Sequence, residues 1–356
     1  MYPRVSIIIL NWNGWKDTIE CLESLYKITY PNYDVIIVDN GSKDDSIQKI
    51  KEYAEGNIEV NSKFFRYNPN NKPIKVFEIS EDDAKQGKFN KPVYEKFDPN
   101  RRMILIKNND NYGYAGGNNV GIKFALSVLD PDYVLLLNND TVVDSNFLTE
   151  LVKVAESDKN IGIVGPKIYY YDYKGRSDVI QYCGVTFIPK LLHKKVVGYK
   201  ETHYNHIEPV LTDEVHGACM LIKKDIFWKV GFLDNNFFAY WEETDFCYKS
   251  RRMGYKLKVV PIAEIWHKTG SNNPSEKRIS TFATYLFARN AIYFIRNNLN
   301  GFDKFISLCF IFTINFAFLE AVYFIYYKKP KVAVSYCLGL INGIWGEKGK
   351  PNLMFK

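Results

Sequence analysis

The stretch Tyr133-Val134-Leu135-Leu136-Leu137-Asn138-Asn139-Asp140 constrains this chain more than any other. A continuous apolar run of that length, closed by polar residues, reads as a strand buried on both faces. Such strands belong to parallel sheets covered by helices on either side. In an open α/β sheet, ligands sit beyond the carboxyl ends of the strands. The Asn138-Asn139-Asp140 end therefore has two readings. It is good turn chemistry, because Asn and Asp bond back to nearby backbone. It is also where a carboxylate can hold a metal ion and the phosphates attached to it.

The flanking chain supplies the rest of such a sheet. Val5–Leu10 is a β-branched run that closes on Asn11-Trp12-Asn13-Gly14. Ile19, Leu22 and Leu25 recur at helical spacing over Asp17–Lys27, and Pro31 stops that helix. A second strand, Val35–Val38, ends in the turn Asp39-Asn40-Gly41-Ser42, and Asp44–Tyr53 is a short helix. This order predicts a doubly wound, parallel sheet. Residues 56–102 are rich in Lys, Asn, Asp and Glu and carry four prolines, so they read as a polar surface insertion with an edge strand at Ile74–Ile79. Met103–Lys107 resumes the sheet, and Asn111–Asn119 leads into a helix to Leu129. A helix near Asn146–Ser157 and a strand at Ile161–Val164 follow the opening strand.

Beyond Pro166 the pattern changes. Tyr169–Tyr173 and Val179–Ile188 alternate as antiparallel strands do. Val215–Ile222 and Lys256–Val260 read as further strands, Asp225–Val230 as a helical turn, and Glu242–Met253 as a helix with Gly254 at its C-terminus. The tail is a separate piece. Phe305–Tyr327 is strongly apolar, broken by Asn315 and Glu320, and its 23 residues have the length of a bilayer span. Pro330 breaks it, and Val332–Trp345 is a shorter apolar stretch with basic residues on its flanks. A full span, an interfacial or re-entrant hairpin, and a docked helix all fit this pattern.

A net charge of +7 suits an anionic substrate or an anionic membrane surface. No arginine-rich run or nucleic-acid motif stands out, so nucleic acid is not expected as a partner. Six cysteines form no CxxC pair and read as reduced, structural thiols in a cytosolic setting. Val5–Leu10 is too short for the apolar region of a signal peptide.

Four clusters fall where ligands are expected. Asp39 ends the second strand, where a carboxylate can accept hydrogen bonds from a base or ribose; it is equally a turn residue. The Asn111–Asn119 loop has glycines that permit close backbone approach, and the helix after it can face phosphate. It is neither a Walker loop nor GxGxxG. Asp140 can bind magnesium or manganese, with His267 at another strand end as partner; the plain alternative for His267 is a hydrogen-bonded core histidine. Glu242-Glu243-Thr244-Asp245 opens a helix, where the macrodipole alone explains acids. Yet Tyr240 and Trp241 precede them, and an apolar wall can raise a carboxylate pKa and suit it to proton transfer.

Taken in order, these clusters resemble those of the family 2 inverting glycosyltransferases of the GT-A fold, in particular the rhamnosyltransferase-like branch of polysaccharide assembly. The resemblance rests on Val5–Gly14, Val35–Ser42, Asn111–Gly121, Leu135–Asp140, Gly217–Leu221, Gly231–Asp234, Tyr240–Cys247 and the region around His267. It implies a catalytic domain over residues 1–275, with a Rossmann-like, mostly parallel α/β sheet and a small antiparallel acceptor-side sheet. Residues 276–356 would then be a C-terminal, apolar, helical, membrane-associated region. It implies transfer of a sugar from a nucleoside-diphosphate sugar to a hydroxyl of a glycan or lipid-linked acceptor, with inversion. The setting would be cell-surface polysaccharide or glycoconjugate assembly at the cytoplasmic face of the membrane.

By the same resemblance, Asn11, Asp39 and Ser42 contact the nucleotide, with Asn118 or Asn119 and Asn139 nearby. Asp140 is the last position of the family's Asp-x-Asp metal motif, whose first position is Asn138 here, and His267 matches the later metal-binding histidine. The metal would be Mg2+ or Mn2+. Glu243 falls where the family has its catalytic Asp; Asp245 and Glu242 are the other candidates. His216, Gly217, Tyr240 and Trp241 fall on the acceptor side. The alternatives are a sugar-phosphate nucleotidyltransferase, which would release pyrophosphate, and an inactive nucleotide-sugar-binding membrane module.

Overall fold

The computed structural model describes residues 2–202, 206–269, 280–315 and 330–351. The N-terminal half runs β1 (Val5–Asn11), α1 (Trp15–Leu25), β2 (Tyr33–Asp39), α2 (Ser46–Glu55), β3 (Lys75–Ser80), α3 (Glu81–Lys85), α4 (Lys91–Tyr94), β4 (Arg102–Lys107), α5 (Gly113–Phe124) and β5 (Tyr133–Asn138). Then come β6 (Thr141–Val143), α6 (Phe147–Glu156), β7 (Ile161–Tyr170), β8 (Ile180–Tyr182), β9 (Val185–Ile188), β10 (His193–Val196) and β11 (Val210–Leu211). The remainder is β12 (Cys219–Lys223), α7 (Lys224–Lys229), α8 (Glu242–Arg252), β13 (Lys256–His267), α9 (Thr281–Asn298), α10 (Gly301–Phe310) and α11 (Pro330–Trp345).

The main sheet has the order β11-β13-β7-β12-β5-β1-β2-β4-β3, with β6 beside β13 and β8 beside β7. Strands β3, β4, β2, β1 and β5 are mutually parallel, while β12 runs antiparallel between β5 and β7. Strands β9 and β10 form a separate antiparallel hairpin. This is the mixed α/β architecture expected, with a large mostly parallel sheet and a small antiparallel one.

The apolar runs explain the layering. Side chains alternate across a strand, and here both sides are covered. Ile7, Ile9, Val35 and Ile37 pack with α1, α2 and α6 on one face, while Ile8, Ile36 and Val38 pack with α5 on the other. A strand buried twice needs apolar residues at nearly every position, which is what Val35–Val38 carries throughout and Val5–Leu10 carries except at Ser6, whose buried hydroxyl donates to Asp34. Helix α5 approaches closely because it has glycines where it meets the sheet: a Cβ on Gly121 would stand 2.8 Å from Ile8 Cγ2 and 2.9 Å from Val38 Cγ2.

Three segments differ from expectation. The run Tyr169–Tyr173 is not a strand of its own; its first two residues continue β7. Strand β12 starts at Cys219 rather than Val215. The backbone N–H of Val215 donates to Cys247 Sγ and that of Ala218 to His216 Nδ1, so side chains replace the ladder there. Strand β13 continues past Val260 through an irregularity at Val260/Glu264, and His267 is its last residue rather than lying beyond it.

The edge strand expected in the insertion is β3, which pairs parallel to β4. The insertion also carries packing of its own. Phe77 meets Phe89, Tyr94 and Phe97 edge-on, and the Tyr94 hydroxyl donates to buried Asp34, which Arg4 and Arg102 also contact.

At the other end, α9 packs along α11, with Gly339 against Tyr285 and Ala288 and Gly343 against Arg289 and Ile292. Of the apolar stretch Phe305–Tyr327, residues 305–310 belong to α10 and 311–315 to a widened turn; the rest lies outside the described residues. Among the described residues, no helix is long and apolar enough to cross a membrane.

Candidate active site

The strand register puts the polar strand ends side by side. Asn11 on β1 stands opposite Asp39 on β2, and Leu10 opposite Asn138 on β5. The side chains there join in one relay. Asn11 Nδ2 donates to Asp39 Oδ1 at 2.8 Å and to Ser42 Oγ at 3.2 Å. Ser42 returns two bonds to Asp39, from its hydroxyl at 2.6 Å and its backbone N–H at 3.0 Å. The Thr18 hydroxyl donates to Asn11 Oδ1, and Asn139 Nδ2 donates to Thr18 Oγ1 at 3.0 Å. Asp39, Asn11, Ser42 and Asn139 are thus brought together, with Thr18 as the link that sequence reasoning missed. Thr18 faces the site because it lies one turn into α1, where its position is fixed by the Gly14 carbonyl.

Asn118 and Asn119 are placed differently. Both are buried in the middle of α5. The Asn118 amide donates to Tyr114 O, and the Asn119 amide donates to Leu233 O and Asn235 Oδ1. Asn119 lines a separate cavity of about 600 Å³ bounded by α3, α5 and Lys350.

Asp140 and His267 meet. Asp140 Oδ1 lies 3.2 Å from His267 Nε2, and Thr141 is the register partner of His267 across β6 and β13. The other ring nitrogen, Nδ1, sits 3.1 Å from Gln181 Oε1. That contact fixes the ring's orientation, as second-sphere partners of metal-binding histidines do. Two ligand atoms on one divalent ion, with bonds of about 2.1 Å at right angles, stand about 3 Å apart. The pair therefore fits a shared cation that takes its remaining ligands from phosphate and water. Among the described residues, no group of three or more His, Cys, Asp or Glu converges on one point.

The bend at His216-Gly217 ties this pair to α8. The His216 ring lies 5.7 Å from that of His267. Gly217 O accepts from the Tyr114 hydroxyl at 2.7 Å, and a Cβ on Gly217 would stand 3.7 Å from Glu243 Cβ and Cγ. The candidate metal pair and the candidate base thus border adjacent residues, His216 and Gly217.

Glu242 is buried and Glu243 half-buried at the start of α8. Burial, then the charge of Glu243, pushes the Glu242 carboxyl well above its ordinary range. Burial raises Glu243 as well; Lys194 opposes that rise and Glu214 adds to it. Among the described residues, Oε2 of each glutamate lacks a hydrogen-bond partner. Asp245 faces elsewhere: its oxygens accept from Lys249 at 2.6 Å and Asn298 at 2.7 Å, a role in holding α8 to α9. Trp241 is buried against Phe294 and Phe287, and Tyr240 is partly exposed beside Phe287.

Lys194 is the second residue that sequence reasoning missed. It comes from the β9–β10 hairpin, with Nζ 2.8 Å from Glu214 Oε2, 2.7 Å from Thr244 Oγ1 and 5.2 Å from the Trp241 ring centre. Desolvation works against its charge, but Glu214 and Glu243 outweigh it and hold the ammonium above its ordinary range. Nothing in the local sequence His193-Lys194-Lys195 marks one lysine over its neighbour.

Comparison with known proteins agrees with this geometry. The glycosyl transferase family 2 profile matches residues 6–91 and 79–231. The chain belongs to that family, and it is a glycosyltransferase. It is 28% identical over 258 residues to the low-salt glycan biosynthesis hexosyltransferase Agl10 of Haloferax volcanii, covering 70% of this chain and 78% of the relative. It is 26% identical over 174 residues to the rhamnosyltransferase WbbL of Escherichia coli, covering 46% of this chain and 64% of the relative. In fold it is similar to the mannosyltransferase PcManGT of Pyrobaculum calidifontis, solved with GDP-Man and Mn2+, at a TM-score of 0.54, 13% identity and coverage of 97% and 88%. It is also similar to GalNAc-T7, solved with UDP, GalNAc and Mn2+, at a TM-score of 0.59 and 15% identity, over 97% of this chain and 56% of that one. The fold is GT-A. Neither a nucleotidyltransferase nor an inactive binding module is favoured by this membership.

Proposed function

We propose that the chain moves a hexosyl or rhamnosyl group from a nucleoside-diphosphate sugar to a hydroxyl of a glycan or lipid-linked acceptor, with inversion. The observation that carries this reading is the convergence on His216-Gly217 of the Asp140–His267 pair from one side and Glu243 from the other. Asp39, held by Asn11 and Ser42, is oriented before any ligand arrives and offers its carboxylate to the nucleoside. Glu243 removes the proton from the acceptor hydroxyl. The freed oxygen bonds to the anomeric carbon as the bond from that carbon to the diphosphate breaks, and the nucleoside diphosphate leaves. A base must be ionised to do this, and a pKa raised toward neutrality makes it a stronger acceptor. Lys194 favours the ionised form. Asp140 and His267 would hold Mg2+ or Mn2+, which when bound supplies Lewis-acid stabilisation of charge on the leaving group.

The test is to incubate the full chain with UDP-, GDP- and dTDP-sugars and a divalent ion. Nucleoside diphosphate is the expected product, and a chelator should abolish its release. Pyrophosphate in its place would refute the reading.

The same reading puts the chain at the cytoplasmic face of a membrane. Its support is the exposed apolar surface of the C-terminal helices. Phe302 is 74% exposed, Phe305 63% and Trp345 80%, with Lys304 and Lys348 beside them in sequence. Aromatic and basic residues together suit an anionic bilayer surface. Co-flotation with vesicles of anionic phospholipid is expected for the full chain, and its loss in Phe305→Ser with Trp345→Ser. Equal flotation by the double variant would exclude this surface.

A further inference from the structure

The geometry points to Arg289 and Asn290 of α9 as positioning residues: we propose that together they clamp the segment Phe237–Trp241 and so set the direction in which α8 presents Glu242 and Glu243. The inference rests on the proposed role of α8's acids in proton removal.

The segment needs holding. Phe238, Tyr240 and Trp241 have φ values of +66°, +68° and +78°, three bulky residues within four in the left-handed region. Such conformations persist only where the surroundings over-determine them. Trp241 is the residue on which α8 begins, so a relaxed φ there would swing the first turn of the helix and both glutamates with it.

Asn290 supplies the determination. Its Nδ2 lies 2.9 Å from Phe237 O, 2.8 Å from Ala239 O and 2.8 Å from Tyr240 O, so one amide gathers the carbonyls of nearly the whole segment. An amide can present either its oxygen or its nitrogen. Arg289 decides which: its Nε donates to Asn290 Oδ1 at 2.9 Å, turning Nδ2 toward the carbonyls. The guanidinium then adds a bond of its own from Nη2 to Phe237 O at 2.9 Å, and Nη1 donates to Gly349 O at 2.7 Å. Both side chains are 1% exposed. A buried guanidinium must find acceptors for its fork of donors, and here they are Asn290 Oδ1, the carbonyls of Asn236 and Phe237, and that of Gly349.

The clamp also reaches α5. Phe238 O accepts from the backbone N–H of Tyr114 at 2.6 Å, at the first turn of α5. Tyr114 in turn bonds Gly217 O at the site. One segment therefore joins the start of α5, the start of α8 and the middle of α9.

The experiment uses the full chain with Asn290→Ala, Asn290→Asp and Asn290→Ser. Asp keeps the size but cannot donate; Ser keeps one donor and serves if the Ala form does not fold. Two readings are taken. Amide exchange followed by mass spectrometry needs no substrate and reports on the clamp alone. Residues 237–243 should exchange at least tenfold faster in the Ala and Asp variants, with β1, β2 and β5 unchanged. Steady-state release of nucleoside diphosphate from UDP-, GDP- and dTDP-sugars reports on positioning. The expected result is kcat lower by about 30-fold or more with donor KM within threefold. Full kcat in the Asp variant, or faster exchange spread over the whole chain, would overturn the proposal. Glu243→Gln run alongside separates the two ideas. Full transfer by that variant removes Glu243 as base and leaves the exchange result standing.

Discussion

The β1–β2 side and the α8 side of the candidate site hold their polar groups in opposite ways. On the β1–β2 side, Asp39, Asn11, Ser42, Thr18 and Asn139 satisfy one another in a closed relay at the ends of parallel strands. On the α8 side, Glu242 and Glu243 follow Trp241 with one oxygen each lacking a hydrogen bond among the described residues, behind a segment with three left-handed φ angles. A satisfied network is rigid and inexpensive, and suits a surface that must only receive a ligand. Buried, repelling carboxylates cost stability, and that cost is what raises their proton affinity. On the function proposed above, recognition and proton transfer would be separated in space, each with the electrostatics it needs.

The largest effect should come from the side that carries the strain. Glu243→Gln keeps shape and removes the base, so transfer should fall by about 10²–10⁴-fold while donor binding stays within threefold. The wild-type pH profile follows from the sign of the shift. Burial raises the Glu243 pKa, and the base works only when ionised. Transfer should therefore fall with decreasing pH along a limb that lies above the ordinary Glu value of about 4.3. Activity constant down to that ordinary value would place the base elsewhere.

On the recognition side the effect should be smaller and of another kind. Asp39→Ala removes the acceptor for Asn11 and Ser42. It should cost about 1–3 kcal/mol of stability from the donors left behind, and raise donor KM about 10- to 100-fold with kcat at saturation little changed. Denaturant unfolding and donor titration measure the two parts. A loss of kcat with unchanged KM would erase the division between the two sides.

The recognition side was also the more legible in the sequence. Its residues close apolar strands, so a parallel register by itself brings Asn11 level with Asp39 and Asn138 level with the neighbouring Leu10. Asp140 and His267 were readable for the same reason, as polar residues where strands end. The other side depends on contacts that no periodicity encodes. Lys194 arrives from a hairpin whose lysines look alike, and Arg289 and Asn290 sit inside a helix whose spacing explains them as ordinary positions. Asp245, a candidate by the same resemblance, is placed differently: helix geometry turns residues two apart to different faces, and it bonds Lys249 and Asn298.

The finest distinction between the two sides is thermodynamic, and Glu242 reports it. Its carboxyl is raised by burial and by Glu243, so the folded protein pays for its charge. An acid whose folded pKa exceeds its unfolded one lowers stability in full above the folded pKa, and not at all below the unfolded value. Glu242→Gln should therefore stabilise the chain at pH 7–8, by roughly 1 kcal/mol or a rise of about 2 °C in Tm. The gain should shrink as pH falls and vanish near pH 4. Thermal unfolding of both proteins at pH 4, 6 and 8 settles the sign. A variant less stable than wild type at pH 8, or a gap that persists at pH 4, would mean that Glu242 is held by compensating contacts. The α8 side would then resemble the relay of Asp39 rather than oppose it.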